Sequence, residues 1–149
     1  MVRTLQTTLD VKQLITLFGR DVRSVVPQAG VTYRNEPHQL EVTLGDSAEH
    51  SCDYRLMVEG EALGEIAFSG DGAFTDEEIG VLEYLLCALV YPLCNALRYK
   101  TALDEARKDP LTGVYNRGVM ETVLEREIGL ARRYQLPFSL LFMYQGAPI

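Results

Sequence analysis

The sequence has little of what usually reveals a function. Its cysteines, Cys52, Cys87 and Cys94, have no metal-ligand spacing, and the last two lie two helical turns apart, too far for a disulfide. The first residues, 1–3, lead into a polar stretch and not into the apolar core of a signal peptide. An odd number of cysteines without a secretion signal fits a reducing compartment, so we expect a cytoplasmic protein.

Basic residues are scarce in the middle of the chain. Residues 36–97 contain 13 acidic residues and one basic residue, Arg55, and carry a formal charge of −12, while the whole chain carries −7. Binding to nucleic acid needs clustered lysine and arginine that neutralise phosphates. The sequence therefore predicts no nucleic-acid partner and an acidic, hydrated surface.

An apolar run from Ile79 to Leu97 is long enough to cross a bilayer. It contains Glu83, Pro92 and Asn95, and a charge inside a membrane costs about 2.5–3.5 kcal/mol even on the most lenient scale. A helix that is packed on several sides explains the same residues more easily. We therefore expect no membrane span here.

The first half of the chain predicts one helix followed by four strands. Apolar residues recur every three or four positions over residues 9–26, which indicates a helix with one apolar face. Residues 31–34, 39–44, 51–58 and 62–68 alternate between apolar and polar side chains, as in a sheet covered on one face. Four residues of these strands could line a small ligand pocket, although each also fits the core: Tyr33, Tyr54, Ile66 and Phe68.

A second, longer helix begins after Thr75, where Thr75 and Glu78 have the spacing of a capping box. Its periodicity continues to about Lys108. Apolar residues repeat along it every 3.5 residues on average, the period of a coiled coil, and predict a parallel homodimer. This leucine seam consists of Leu82, Leu86, Leu89, Leu93, Ala96 and Leu103, with Lys100 in the same series.

Helix, four antiparallel strands and a long helix indicate an α+β fold with helices on one face of the sheet, similar to small GAF or PAS sensor domains. The shortness of the predicted links between strands leaves little room for a ligand. A small molecule, a partner protein or no input at all remain open as the signal.

A motif follows the long helix. It consists of Asp109, Leu111, Thr112, Gly113, Asn116 and Arg117 in the pattern DxLTGxxNR. This pattern resembles the N-terminal signature of GGDEF domains, the diguanylate cyclase family. The resemblance extends from about Thr75 to Met143, and it implies that Asp109 and Arg117 tie the turn to the following helix. An ordinary capping turn without a signalling role is the alternative.

The resemblance implies four parts: a GAF-like sensor and dimerisation domain at 1–97, whose last helix begins at 76; a coiled-coil linker at 98–108; the start of a GGDEF domain at 109–143; and a tail at 144–149 unlike the family. The family places a magnesium-binding aspartate directly after its first strand, where this chain has Tyr144. Tyrosine is a poor ligand for magnesium. We therefore expect no catalytic or metal residues and no cofactor in this chain; magnesium and GTP belong to the intact parent.

The function that follows is the sensory and dimerisation region of a diguanylate cyclase, which makes cyclic di-GMP from two GTP molecules. The alternative is a stand-alone, non-catalytic regulator or protein-interaction module.

A further expectation concerns the packing of the last part of the chain. The apolar run 138–143 has the composition of a strand buried on both sides, so we expect another chain or the sensor to cover it.

Overall fold

The computed structural model describes residues 8–27, 29–46, 48–143 and 146. The chain divides into two compact units, Met1–Ala102 and Leu103–Ile149. The boundary between the units falls inside the range 98–108. Whether the parts are a sensor, a linker and a cyclase fragment stays a prediction, and nearly all of the tail at 144–149 lies outside the described residues.

The fold is α+β, as the sequence predicts. Its elements are α1 (Val11–Val25), β1 (Gly30–Asn35), β2 (Leu40–Leu44), β3 (His50–Val58), β4 (Glu61–Gly70), α2 (Asp76–Ala106) and α3 (Arg117–Tyr134). The four strands form one antiparallel sheet in the order β2-β1-β4-β3. The long helix α2 follows the sheet directly.

Helix α1 begins at an N-cap, Asp10, whose carboxylate accepts a hydrogen bond of 2.7 Å from the backbone N–H of Gln13. Its apolar face lies in the core, where Phe18 packs against Phe68 with 6.3 Å between the ring centroids. Val25, at the last position of the helix, is 46% exposed, whereas Val22 and Val26 are buried, so the buried stripe reaches residue 26 and leaves Val25 outside it.

The sheet has one apolar and one charged face. The apolar face carries Val31, Tyr33, Ile66 and Phe68, which share one core with α1 and α2. On the other face a row of alternating charge crosses all four strands, because the register places four residues side by side: Glu41, Arg34, Glu65 and Arg55. Arg34 pairs with Glu41 at 3.1 Å and Arg55 with Glu65 at 3.3 Å, all well exposed.

The turn between β3 and β4 is a tight hairpin. Glu59 and Gly60 both have positive φ, 49° and 83°, as a two-residue type I′ turn requires. The strict alternation predicted for β4 is wrong at one place. A register shift lies opposite Leu56, so that Leu63 is fully buried while Gly64 has a φ of 111°.

The capping box at the start of α2 is confirmed. The Glu78 N–H donates to Thr75 Oγ1 at 3.2 Å, and the Thr75 N–H donates to Glu78 Oε2 at 2.8 Å. This helix is long and apolar enough to cross a membrane by composition alone, but 39% of its most apolar window is buried inside the protein. Core helices of soluble proteins have the same composition.

Helix α3 lies in the second unit, where none of its residues is fully buried and Val119, Leu124 and Ala131 are half-buried. The apolar run 138–143 that follows forms no strand, and its exposure ranges from 43% at Phe138 to 84% at Phe142. The run is thus exposed within the single chain, and its cover by another chain or by the sensor stays a prediction.

Candidate functional site: the turn between α2 and α3

Asp109 organises the turn that joins α2 to α3. Its Oδ1 accepts three hydrogen bonds, from the N–H of Leu111 and of Thr112, both at 2.9 Å, and from the Thr112 hydroxyl at 3.1 Å. The backbone closes the same loop, since the Gly113 N–H donates to the Asp109 carbonyl at 2.9 Å. Gly113 has a φ of 70°, a conformation that favours glycine. Four residues of the motif thus build one compact turn.

These hydrogen bonds act on the charge of the carboxylate. The N–H and hydroxyl of Thr112, and then the N–H of Leu111, hold the pKa of Asp109 below its ordinary value of 3.8. Each of these donors stabilises the ionised form. At neutral pH the turn is therefore built around a negative charge.

Asn116 connects the two helices that flank the turn. Its side-chain Nδ2 donates to the Ala106 carbonyl at the end of α2, at 3.0 Å, and its Oδ1 accepts from the Val119 N–H in the first turn of α3, at 3.1 Å. Its backbone N–H donates to the Arg107 carbonyl at 2.8 Å. One residue therefore satisfies free backbone groups at both helix ends.

Arg117, the first residue of α3, forms its ion pair within its own helix. Its Nε donates to Glu121 Oε1, one helical turn along α3, at 2.7 Å. The hydrogen bonds that join this turn to both helices are made by Asn116, and the role that the resemblance assigns to Asp109 and Arg117 stays a prediction. Leu111, the remaining motif residue, is 92% exposed, so it contributes no packing to the turn.

A shallow groove of about 350 Å³ lies beside this turn in the second unit. Arg107 and Arg126 line it together with Asn116 and the first turn of α3. Arg126 is already paired with Glu127 at 2.7 Å. Among the described residues, no three histidine, cysteine or acidic side chains come together as metal ligands.

The leucine seam of α2 lies in the chain's own core. The placement of its first five residues needs correction, because a partner cannot reach side chains that are buried against the sheet. These are Leu82, Leu86, Leu89, Leu93 and Ala96. Leu103 is 46% exposed, and its role in dimerisation stays a prediction.

The four candidate pocket residues lie mainly in the core. Tyr33, Ile66 and Phe68 are almost fully buried, and the Tyr33 hydroxyl donates to the Leu63 carbonyl at 2.6 Å. Burial raises the pKa of Tyr33 to about 12. Tyr54 is half-buried, and its ring meets that of Phe68 edge-on at 6.0 Å between centroids. Their alternative assignment to the core fits these positions better than a ligand pocket.

Sequence reasoning missed a contact between the β3–β4 hairpin and α2. Arg98 forms a salt bridge with Glu61 at 2.8 Å, and the same carboxylate lies 3.8 Å from the Cys94 sulfur. Burial and the nearby Glu61 charge raise the pKa of the Cys94 thiol. The two partners are 37 residues apart in sequence, so no local pattern could have indicated the pair.

No family model matches the chain, and no solved structure matches it. A curated protein named diguanylate cyclase DgcS, from Shewanella oneidensis, is 24% identical over 143 residues, which are 96% of this chain and 47% of that protein. The chain thus spans about half the length of this relative. At a coarse level, it is a distant relative of a diguanylate cyclase.

Proposed function

We propose that this chain is the sensory and dimerisation region of a diguanylate cyclase. In this proposal the first unit is a GAF-like domain, and the turn around Asp109 and Asn116 begins a GGDEF domain. The parent protein would use magnesium and GTP, and this chain would contribute no catalytic residue. It would act as a homodimer in the cytoplasm, apart from membranes and nucleic acid, with a small molecule or a protein as input.

The observation that carries the proposal is the turn between α2 and α3. Its motif is the part of the sequence that resembles the cyclase family, and the similarity to the Shewanella oneidensis protein spans 96% of the chain, this turn included. Asn116 bonds to carbonyl and N–H groups of both helices. A displacement of the end of α2 would therefore be passed to α3 through a short, directional contact.

A chimera tests this function. Residues 1–143 replace the matching part of the Shewanella oneidensis protein, and cyclic di-GMP is measured from GTP and magnesium with the purified chimera. We expect the chimera to make cyclic di-GMP, because the inserted residues 1–143 supply both dimerisation and the turn. A folded chimera without product, beside an active unmodified relative, would contradict the proposal.

The role of the turn is tested with Asn116→Ala in the same chimera. Loss of an N-cap costs about 1 kcal/mol, or about fivefold in the equilibrium between closed and open turn. We expect cyclic di-GMP synthesis to fall by a similar factor. Asp10→Ala is the matched control, since Asp10 is also an N-cap residue but begins α1, outside the turn. Equal losses of cyclic di-GMP synthesis in both variants would show that the turn has no specific role in signalling.

The second candidate is a non-catalytic protein-interaction module. It is favoured by the apolar residues exposed in the second unit, among them Leu141 at 80% and Phe142 at 84%. Large exposed apolar patches often mark binding surfaces. Under this function the chimera stays inactive, while the chain itself binds a protein through residues 138–143.

A further inference from the structure

Helix α2 has a second apolar surface on the side away from the core. Three tyrosines are exposed there: Tyr84 by 69%, Tyr91 by 63% and Tyr99 by 47%. Two residues turn an α-helix by about 200°, so Tyr84 lies on the face opposite to the buried Leu82. A helix whose inner face fills the core therefore also presents aromatic side chains to solvent.

Small residues separate the tyrosines along this side. Ala88, Asn95 and Ala102 lie between and after them, and the six positions follow one another at intervals of four, three, four, four and three. This average of about 3.6 residues is the period of a straight helix, so the six residues stay on one side over about 27 Å. We call Tyr84, Ala88, Tyr91, Asn95, Tyr99 and Ala102 the tyrosine face.

None of the six residues of the tyrosine face is charged, although they lie in a strongly acidic part of the chain. Arg98, beside the face between Asn95 and Tyr99, is paired with Glu61 at 2.8 Å. Glu83 is the one charged residue between Ile79 and Leu97, and its carboxylate is turned to Tyr54 on β3, 3.5 Å from the hydroxyl. Residues 36–97 as a whole carry −12. Two copies of such a protein repel each other at most surfaces, and least where the surface is neutral.

We propose that the tyrosine face is the surface through which two copies of this chain associate, with their α2 helices parallel. An asparagine amide both donates and accepts hydrogen bonds, so Asn95 at the middle of the face can pair with its own counterpart. Tyrosines add apolar contact area with a polar tip, which is why they are enriched in interfaces. The parallel direction rests on the proposed function, which needs both C-terminal parts at the same end.

The area of the face predicts the strength of this association. At about 200 Å² for each aromatic side chain, the exposed parts of the three tyrosines offer about 350 Å². A standard interface buries about 800 Å² on each partner. The tyrosines therefore supply less than half of it, and the interface belongs to the small class. We expect a dimer that dissociates on dilution.

Sedimentation velocity over a concentration series tests the surface on the 149-residue chain. We expect a reversible dimer, and Tyr91→Glu should raise its dissociation constant about 30-fold or more, the effect of a central interface residue. Tyr134→Glu is the matched control, because Tyr134 is a helical tyrosine of α3 with 62% exposure against 63% for Tyr91. Circular dichroism shows whether each variant is folded. Equal effects of both substitutions, or a monomer at every concentration, would overturn the proposal.

Disulfide trapping tests the direction of the helices. In a Cys87→Ser background, Ala88→Cys brings two sulfurs together only if the same positions face each other, since a disulfide needs Cα atoms within about 7 Å. We expect a covalent dimer after mild oxidation, and none for Met57→Cys, an exposed residue of β3. A chain that sediments as a dimer without trapping at position 88 would overturn the parallel arrangement.

A lipid surface is the competing partner for exposed aromatic residues. Co-sedimentation with phosphatidylcholine vesicles distinguishes it: vesicle binding that Tyr91→Glu abolishes, by a chain that stays monomeric, would overturn the proposal. None of these measurements needs cyclase activity. A dimeric chain whose chimera is inactive contradicts the proposed function alone, whereas a monomeric chain whose chimera is active contradicts only the tyrosine face.

Discussion

Helices α1 and α3 have similar lengths and both have periodic apolar residues, yet they differ completely in burial. Six residues of α1 are buried, including Phe18, whereas α3 has none. The difference comes from what surrounds each helix. The sheet supplies an apolar face that complements α1, whereas the described part of the second unit supplies no buried core for α3. An amphipathic pattern therefore predicts a helix and its apolar side, but only a complementary surface turns that side into a core.

The largest difference in stability between the two helices is expected from a pair of side-chain substitutions. Phe18→Ala should destabilise the first unit by about 3–5 kcal/mol, because it leaves a cavity between α1 and the sheet. Ile128→Ala on α3, where the side chain is 37% exposed, should change stability by about 0.5 kcal/mol or less. Urea unfolding followed by circular dichroism measures both. Similar losses would mean that α3 is packed as well as α1.

The next largest loss of stability is expected at a glycine whose backbone conformation disfavours any side chain. Gly64 has a φ of 111°, and a Cβ there would meet the Arg34 carbonyl oxygen, so Gly64→Ala should cost about 2–4 kcal/mol. Gly72→Ala is the control, because a Cβ at that position meets nothing within 4 Å. Thermal unfolding of the two variants measures the difference. A Gly64→Ala protein as stable as Gly72→Ala would show that the β4 bulge adapts.

The smallest effect concerns pH and the second unit. The pKa of Asp109 is depressed in the folded turn, so its stabilising contribution is present above the ordinary value of 3.8 and is lost as pH falls through the lower, folded value. We expect the carboxyl ¹³C shift of Asp109 to titrate below 3.8. The amide of Thr112 should lose its protection in the same range, and Asp109→Asn should abolish this pH dependence. A midpoint at or above 3.8 would show that the turn is open in solution.

The sequence predicted the fold class, the strand faces and the start of α2, because period-two alternation and the capping box are local signals. It misplaced the leucine seam, since a 3.5-residue period is the same whether the leucines meet a sheet or a second helix. The exposed tyrosines could have been found from the sequence, because Tyr84, Tyr91 and Tyr99 recur at helical spacing on the side of α2 opposite to the leucines. The contact from Arg98 to Glu61 had none, because it depends on the tertiary fold.

Within the candidate site, the motif predicted the turn but not which residues pair with one another. The spacing of Asp109 and Thr112 is that of a local carboxylate turn, and the structure contains it. The pairing of Arg117 with Glu121 is an ordinary neighbour contact one helical turn away, which competes with any longer-range partner. Asn116 was included as a motif residue, but its bond to the Ala106 carbonyl depends on how the chain reverses direction.

The row of alternating charge on the outer face of the sheet has a consequence for assembly. Its arginines and glutamates are paired within the chain and remain well hydrated. Stacking two such faces would strip water from eight ionised groups, and this desolvation cost can exceed the attraction between the charges brought together. This face of the sheet is therefore unfavourable for self-association, in contrast to the tyrosine face of α2.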